Sequence, residues 1–202
     1  TLPAAAALAV CAPAFCTAFF VGGKFTPADG AIMAQIVVAL VAGLPAYVIV
    51  KILNPGFFAR EDTRTPVWTA LVSLLFNIAL NLWVVRQYGI VGLAAATACS
   101  ATLNCRLLYA MLHRRGWFRF TLPLAGRVAR QLMATAAMAA VLWWLMPHLE
   151  AYYGGTWVER IWSLAALVLV GLAVFAAGAF ATGAVDKSVL AQLRRRRQPR
   201  TR

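Results

Sequence analysis

Negative charge is scarce in this 202-residue chain, which has six Asp and Glu against 19 Lys and Arg and only 12% charged residues in all. An ordinary soluble domain carries about 25% charge. With 62% hydrophobic residues and a mean hydropathy of +0.76, a water-soluble globule and a disordered segment are both excluded, because this much apolar surface cannot stay solvated. Histidine and cysteine are few as well, at two and four. Cys11, Cys16, Cys99 and Cys105 fall in apolar runs without CxxC spacing, so they read as small buried residues and not as a disulfide scaffold or a zinc set. His113 and His148 have no partner at ligand or triad spacing, and all six carboxylates fall in loops or at span ends. No GxxxxGK, HExxH or Ser/His/Asp set is present. The chain is read as a non-enzyme without a metal centre.

What remains is an integral membrane protein. A helix needs about 20 mostly apolar residues to cross a hydrocarbon core of about 30 Å, and six such stretches occur, at 2–21, 31–53, 67–85, 90–112, 128–146 and 161–185. Thr26-Pro27-Ala28-Asp29 and Thr65-Pro66 each place a hydroxyl at an N-cap and a proline at the first helical position. The fold class is an all-α polytopic transmembrane bundle of six spans.

The loops divide by charge. One side collects Lys51, Arg60, Arg64, Arg114, Arg115, Arg119, Arg127, Arg130, Lys187, Arg194 to Arg197, Arg200 and Arg202, fifteen basic residues in all. The other has Lys24, Arg86 and Arg160, offset by Asp29, Glu150 and Glu159. Basic loops face the cytoplasm, so both chain ends are placed there, in a multi-pass membrane protein. The net charge of +13 therefore sets topology and does not mark a nucleic-acid binder. Arg106 lies inside the fourth span near its basic end, where its side chain can snorkel. Trp143, Trp144, Tyr152, Tyr153, Trp157 and Trp162 cluster around the fifth loop as an interfacial belt, with Trp117 doing the same on the inner side. The first apolar run has no charged leader segment and is read as a span, with further sequence expected upstream and not a signal peptide.

Inside the spans the most informative polar set is Asn77 and Asn81, four apart on one helix face, followed across a turn near Tyr88 and Gly89 by Thr97 and Ser100. Antiparallel neighbours would hold Asn81 and Thr97 at similar depth. Amides and hydroxyls in hydrocarbon must pair or line water, so this set marks either interhelical bonds or a hydrophilic site. The last two spans hold almost no polarity. Their Ala173, Ala177 and Ala181 permit close helix approach, and the rest of their surface suits lipid.

The loop signatures are more specific. Phe20-Val21-Gly22-Gly23-Lys24-Phe25-Thr26, then Gly43-Leu44-Pro45, then Val50-Lys51-Ile52-Leu53-Asn54-Pro55-Gly56-Phe57-Phe58-Ala59-Arg60-Glu61-Asp62-Thr63-Arg64-Thr65-Pro66 resemble the MurJ (MviN) lipid II flippases. Asn77 to Leu82, Gly89-Ile90-Val91-Gly92-Leu93, Leu103-Asn104 and Arg114-Arg115-Gly116 extend the likeness. It runs to about residue 120 by motif and to the end by span pattern.

The resemblance implies a fourteen-span carrier of two six-helix lobes around a cavity, with two added C-terminal spans, in the multidrug/oligosaccharidyl-lipid/polysaccharide superfamily. Residues 1–113 would be four spans of the second lobe, 114–127 a cytoplasmic loop, 128–185 the two added spans and 186–202 a basic cytoplasmic tail. It further implies alternating access that moves lipid II, the polyprenyl-linked peptidoglycan precursor, for cell-wall synthesis. The last two spans would hold the polyprenyl tail. Partners would be lipid II, membrane lipids and the N-terminal lobe of the same chain, which carries most headgroup-binding residues. A sodium site described in the family maps onto Asn77, Asn81, Thr97 and the carbonyl of Leu93, with Asn81 standing where an aspartate can occur. The loop with Lys51, Arg60, Asp62 and Arg64 is expected either to gate, by exchange of charge partners while Pro55 and Gly56 interrupt the helix, or simply to fix orientation. A flippase for another polyprenyl-linked oligosaccharide, or a non-transporting membrane assembly subunit, would account for the same spans.

Overall fold

The second helix begins with a capping box. The Asp29 N–H bonds the Thr26 hydroxyl oxygen at 3.3 Å, and the Asp29 carboxylate accepts the Thr26 N–H at 2.9 Å, with Pro27 next in line. The Thr26 start is thus as expected from sequence. In the computed structural model, which describes residues 1–21, 24–117, 122–153 and 157–181, five helices follow in order: α1 (Leu2–Phe20), α2 (Pro27–Phe58), α3 (Arg64–Arg114), α4 (Leu122–Tyr153) and α5 (Trp157–Ala181). Each is long and apolar enough to cross a membrane. The expectations resting on Gly22, Gly23, Arg119, 182–185 and the tail at 186–202 lie outside the described residues. So do those on the side chains of Arg127, Glu150, Tyr152, Tyr153, Trp157 and Ala181.

Helix α3 has 51 residues, about 76 Å if straight, too long for one crossing. It breaks at Gly89, whose φ of 57° and ψ of −142° no helix tolerates and which a side chain would strain. Asn77 on one side of the break bonds Ser100 on the other at 3.1 Å. A straight helix would hold them about 34 Å apart. The chain therefore reverses into two antiparallel arms, 64–88 and 90–114, and the described residues hold six rods where six spans are expected.

Contacts run in sequence: α3 packs on α2, α2 on α1, and α1 on both α4 and α5, which pair with each other. Small residues allow these approaches, the main device of helix packing where lipid removes the hydrophobic drive. A Cβ on Gly43 would lie 2.9 Å from the Ala98 Cα. Cys11, Ala14 and Ala18 of α1 share a core with Met138 and Leu142 of α4 and Leu164 and Leu167 of α5. On α5 the close approach is made by Gly171 against Leu142 and Gly178 against Ala134. Ala173 and Ala177 are exposed, which corrects the expectation that they face the neighbour, because the packed stripe follows 164, 167, 171 and 178.

Other expectations change too. Pro55 and Gly56 do not interrupt α2, since the Ala59 N–H bonds the Pro55 carbonyl at 2.9 Å and the ladder resumes past the missing donor. Thr65 is not an N-cap: α3 starts at Arg64, and the Asp62 carboxylate accepts the Thr65 N–H at 3.1 Å. Cys99 is exposed, whereas Cys11 and Cys16 are buried and Cys105 lies between. Trp143, Trp144 and Trp162 are exposed as a belt requires, but Trp117 is half-buried against Phe57.

The ends of α2 and of the second arm are built alike. The Asp62 N–H reaches the Phe57 carbonyl and the Glu61 N–H the Phe58 carbonyl. Likewise the Trp117 N–H reaches Leu112 and the Gly116 N–H reaches His113. Both are Schellman ends, which need a left-handed residue before the last donor. Gly116 takes φ 70° freely, but at the matching place Glu61 takes φ 59° with a side chain that disfavours it. Glu61→Gly is therefore expected to stabilise the protein by about 1 kcal/mol and Gly116→Ala to destabilise it by about as much, read as opposite shifts in the thermal unfolding midpoint of the detergent-solubilised full chain. Shifts of the same sign would contradict this account of the two ends.

Candidate functional site

Every fourth residue along the first arm of α3 is polar: Thr65, Thr69, Ser73, Asn77 and Asn81. Spacing of four keeps them near one face, and the first three are buried while the two amides are half-buried. Thr69 and Ser73 donate to the carbonyls of Pro66 (3.0 Å) and Thr69 (2.8 Å), so their hydrogens are satisfied within the helix. The amides reach across instead. Asn81 Nδ2 donates to Asn77 Oδ1 at 3.0 Å, Asn77 Nδ2 donates to Ser100 Oγ at 3.1 Å, and Ser100 Oγ donates to the Thr97 carbonyl at 3.0 Å. The same register sets Ser73 at the level of Asn104.

Of the expected set Asn77, Asn81, Leu93 and Thr97, the structure joins the amides to Ser100 and, through it, to the Thr97 backbone. The Thr97 hydroxyl turns back to the Leu93 carbonyl at 2.9 Å. Among the described residues, the amide oxygens of Asn54, Asn81 and Asn104 are buried without a bond. The free Asn81 oxygen suits a cation ligand. The Asn77 oxygen accepts one bond and keeps a second lone pair, whereas the Leu93 carbonyl takes the Thr97 hydroxyl within a helical arm whose backbone ladder also reaches it, so this neutral donor set fits a monovalent cation in part, with further oxygens required. The described residues hold no cluster of three His, Cys, Asp or Glu.

A second constellation closes the open end of the hairpin. Asp62 pairs with Arg115, and it accepts from the Thr65 hydroxyl at 2.7 Å as well as from the Thr65 N–H. Arg115 also donates to the Thr65 hydroxyl oxygen at 3.0 Å. Arg60 donates to the Gly56 carbonyl at 3.1 Å, and both Arg60 and Arg115 stack on the Trp117 ring, at 4.6 and 5.0 Å from its centre. Beneath them Leu53, Phe57, Leu108 and Leu112 form a core. Of the expected gate residues, Asp62 and Arg60 are thus fixed by Arg115 and Trp117, while Lys51 and Arg64 are exposed. By sequence alone, Arg115 counts only toward topology and Trp117 only toward the interface. Their pairing needs the hairpin register, which no local pattern shows.

Apolar side chains line a third feature, a groove of about 420 Å³ among α1, α4 and α5, bounded by Leu8, Phe15, Met138, Leu142, Leu172 and Phe175. Its walls suit a hydrocarbon chain.

Comparison with known proteins gives the setting. Residues 1–181 match the family model described as lipid II flippase MurJ. The chain is 35% identical over 176 residues to a probable lipid II flippase MurJ of Vibrio cholerae serotype O1, covering 87% of this chain and 34% of that one. It is 36% identical over 194 residues to a protein of the same description from Rhizobium meliloti, covering 94% and 36%. A solved structure, lipid II flippase MurJ in an inward closed conformation, superposes with a TM-score of 0.69 at 22% identity, covering 88% of this chain and 35% of that one. The chain thus spans little more than a third of these proteins' lengths.

The Thr65 hydroxyl, the Thr65 N–H and then Arg115 together hold the Asp62 carboxyl down from 3.8 to about 2, against the smaller opposing effect of its partial burial. A depressed carboxylate contributes stability that is complete above its unfolded value and fades as pH falls through the folded one. The gap in thermal midpoint between the wild-type chain and Asp62→Asn is expected to be constant from pH 5 to 8 and to shrink below about pH 4. A gap that closes between pH 5 and 8 would contradict this.

Proposed function

Because this chain belongs to the lipid II flippase MurJ family, we propose that it is the distal part of a carrier that moves a polyprenyl-linked peptidoglycan precursor across the bacterial cytoplasmic membrane by alternating access. The protein is a transporter and breaks no covalent bond. The observation that carries the reading is the family match across 1–181, which takes in all five described helices. The apolar groove among α1, α4 and α5 supports a seat for the polyprenyl tail.

In this reading 1–113 forms four spans of the second lobe, 114–127 a cytoplasmic loop, 128–185 two added spans and 186–202 a cytoplasmic tail. Among the described residues, Arg60, Arg64, Arg114 and Arg115 gather where α2 ends and α3 begins and ends. Lys24 and Arg86 lie at the other face of the bundle. That asymmetry supports a cytoplasmic Asp62–Arg115 end. There the Asp62, Arg115, Arg60 and Trp117 contacts would lock the hairpin to α2, so that the unit rocks as one body against the other lobe.

Asn77, Asn81, Thr97 and the Leu93 carbonyl would contribute to a sodium site completed by oxygens from elsewhere in the protein, and the ion would supply coupling to transport. The buried free oxygen of Asn81 favours this.

Expression of the full-length gene in a strain depleted of its own lipid II flippase is expected to restore growth and cell shape. Lysis with the protein present in the membrane would contradict the transport reading. In reconstituted vesicles, sodium coupling predicts that replacement of sodium by choline and the Asn77→Ala change slow flipping alike; a rate unmoved by either would remove the ion and leave the carrier.

A further inference from the structure

The second arm of α3 carries one charge inside the span. Arg106 lies eight residues before Arg114, about 12 Å along the helix, and has no hydrogen bond, ion pair or ring contact among the described residues. Snorkelling toward the basic end is the expectation from sequence. Helical side chains, however, lean toward their N-terminal turn, and in this arm that direction leads away from Arg115 and into the bilayer. On that side the surface is concave. Ala98, Cys99, Thr102 and Leu103 line a groove of about 440 Å³ that Arg106 closes, with Ala42 of α2 and Phe76 of the first arm at its sides. The Thr102 hydroxyl already donates to the Ala98 carbonyl at 2.9 Å. Arg106 is therefore the one cationic donor lining the groove.

A guanidinium at this depth is costly unless an anion meets it. The described carboxylates do not serve: Asp62 is taken by Thr65 and Arg115, Glu61 sits beyond the end of α2, and Asp29 and Glu159 lie at the opposite end of the bundle. A carboxylate from a neighbouring helix would reach Arg106 by direct packing and needs no cavity. An open groove ending on a guanidinium suits a mobile anion instead, and the planar fork of arginine matches phosphate oxygens two at a time.

Resting on the transport reading above, we propose that Arg106 is a second-lobe binding residue for the diphosphate of the polyprenyl-linked substrate. The anion lies in the groove between Ala42 and Phe76 while the second lobe holds the substrate. Binding is then shared between the lobes, and the carrier grips the phosphates from both walls.

The test measures binding of lipid II and of a polyprenol without phosphate to the full-length carrier in nanodiscs, as wild type, Arg106→Gln and Arg106→Lys. The proposal expects Arg106→Gln to weaken lipid II binding about tenfold, the size of one lost charge-assisted contact, Arg106→Lys to recover part of it, and polyprenol binding to be equal in all three. Equal lipid II affinity in wild type and Arg106→Gln overturns it and leaves a fixed carboxylate as the partner. If Arg106→Gln loses polyprenol binding as well, its fold is damaged and Arg106→Lys decides: weaker lipid II binding with polyprenol binding intact supports the proposal, and unchanged lipid II binding overturns it. A wild-type carrier that binds no lipid II removes the transport reading and this proposal together, which separates that failure from the failure of Arg106 alone.

Discussion

Hydrocarbon offers no water to a stranded amide, and the hairpin of α3 is organised by that constraint. Asn77 and Asn81 cannot face lipid without heavy cost, so they turn to each other and to Ser100. Each such bond in a membrane is worth about 0.6 kcal/mol and at most about 1.7. That is modest as stability and strong as specification, because a one-residue slip of the arms would turn the amides away from Ser100. Register fixed there also decides what happens at the hairpin's open end. Asp62 and Arg115, 53 positions apart in sequence, meet because the two arms are of equal length about Gly89.

Much of this was legible in the sequence. The length of the apolar runs gave the spans, Thr26-Pro27-Ala28-Asp29 gave the start of α2, Tyr88 and Gly89 gave the turn, and a spacing of four put Asn77 and Asn81 on one face. What was not legible depends on tertiary register or on a residue used against its preference. Glu61 occupies a left-handed position where glycine is the ordinary choice, so no composition rule marks the end of α2. Trp117 carries the signature of an interfacial ring, yet it packs on Phe57 and bears two guanidinium groups. On α5 alanine and glycine are interspersed, and only the position of α4 decides that Gly171 and Gly178 face it while Ala173 and Ala177 do not.

The three features occupy different parts of the bundle. The amide seam holds the arms of α3 together, the Asp62–Arg115 and Trp117 contacts tie that hairpin to α2, and the apolar groove lies on the far side, between α1 and the last two helices. In the proposed carrier, the tie between the hairpin and α2 would let this part move as a unit, and the apolar groove would hold a hydrocarbon chain. Pro45 and Pro55 are absorbed into a continuous α2, so neither marks a break in that helix.

The most direct test of the central claim is a cysteine pair at positions 77 and 100 in an otherwise cysteine-free full-length protein, oxidised in native membranes and read as disulfide formation by mass. The account predicts ready cross-linking within one chain, because the Asn77 and Ser100 side chains are in hydrogen-bond contact. Failure to cross-link, with a pair at 62 and 115 failing as well, would mean that the arms do not fold back at Gly89 and would contradict the account at its base.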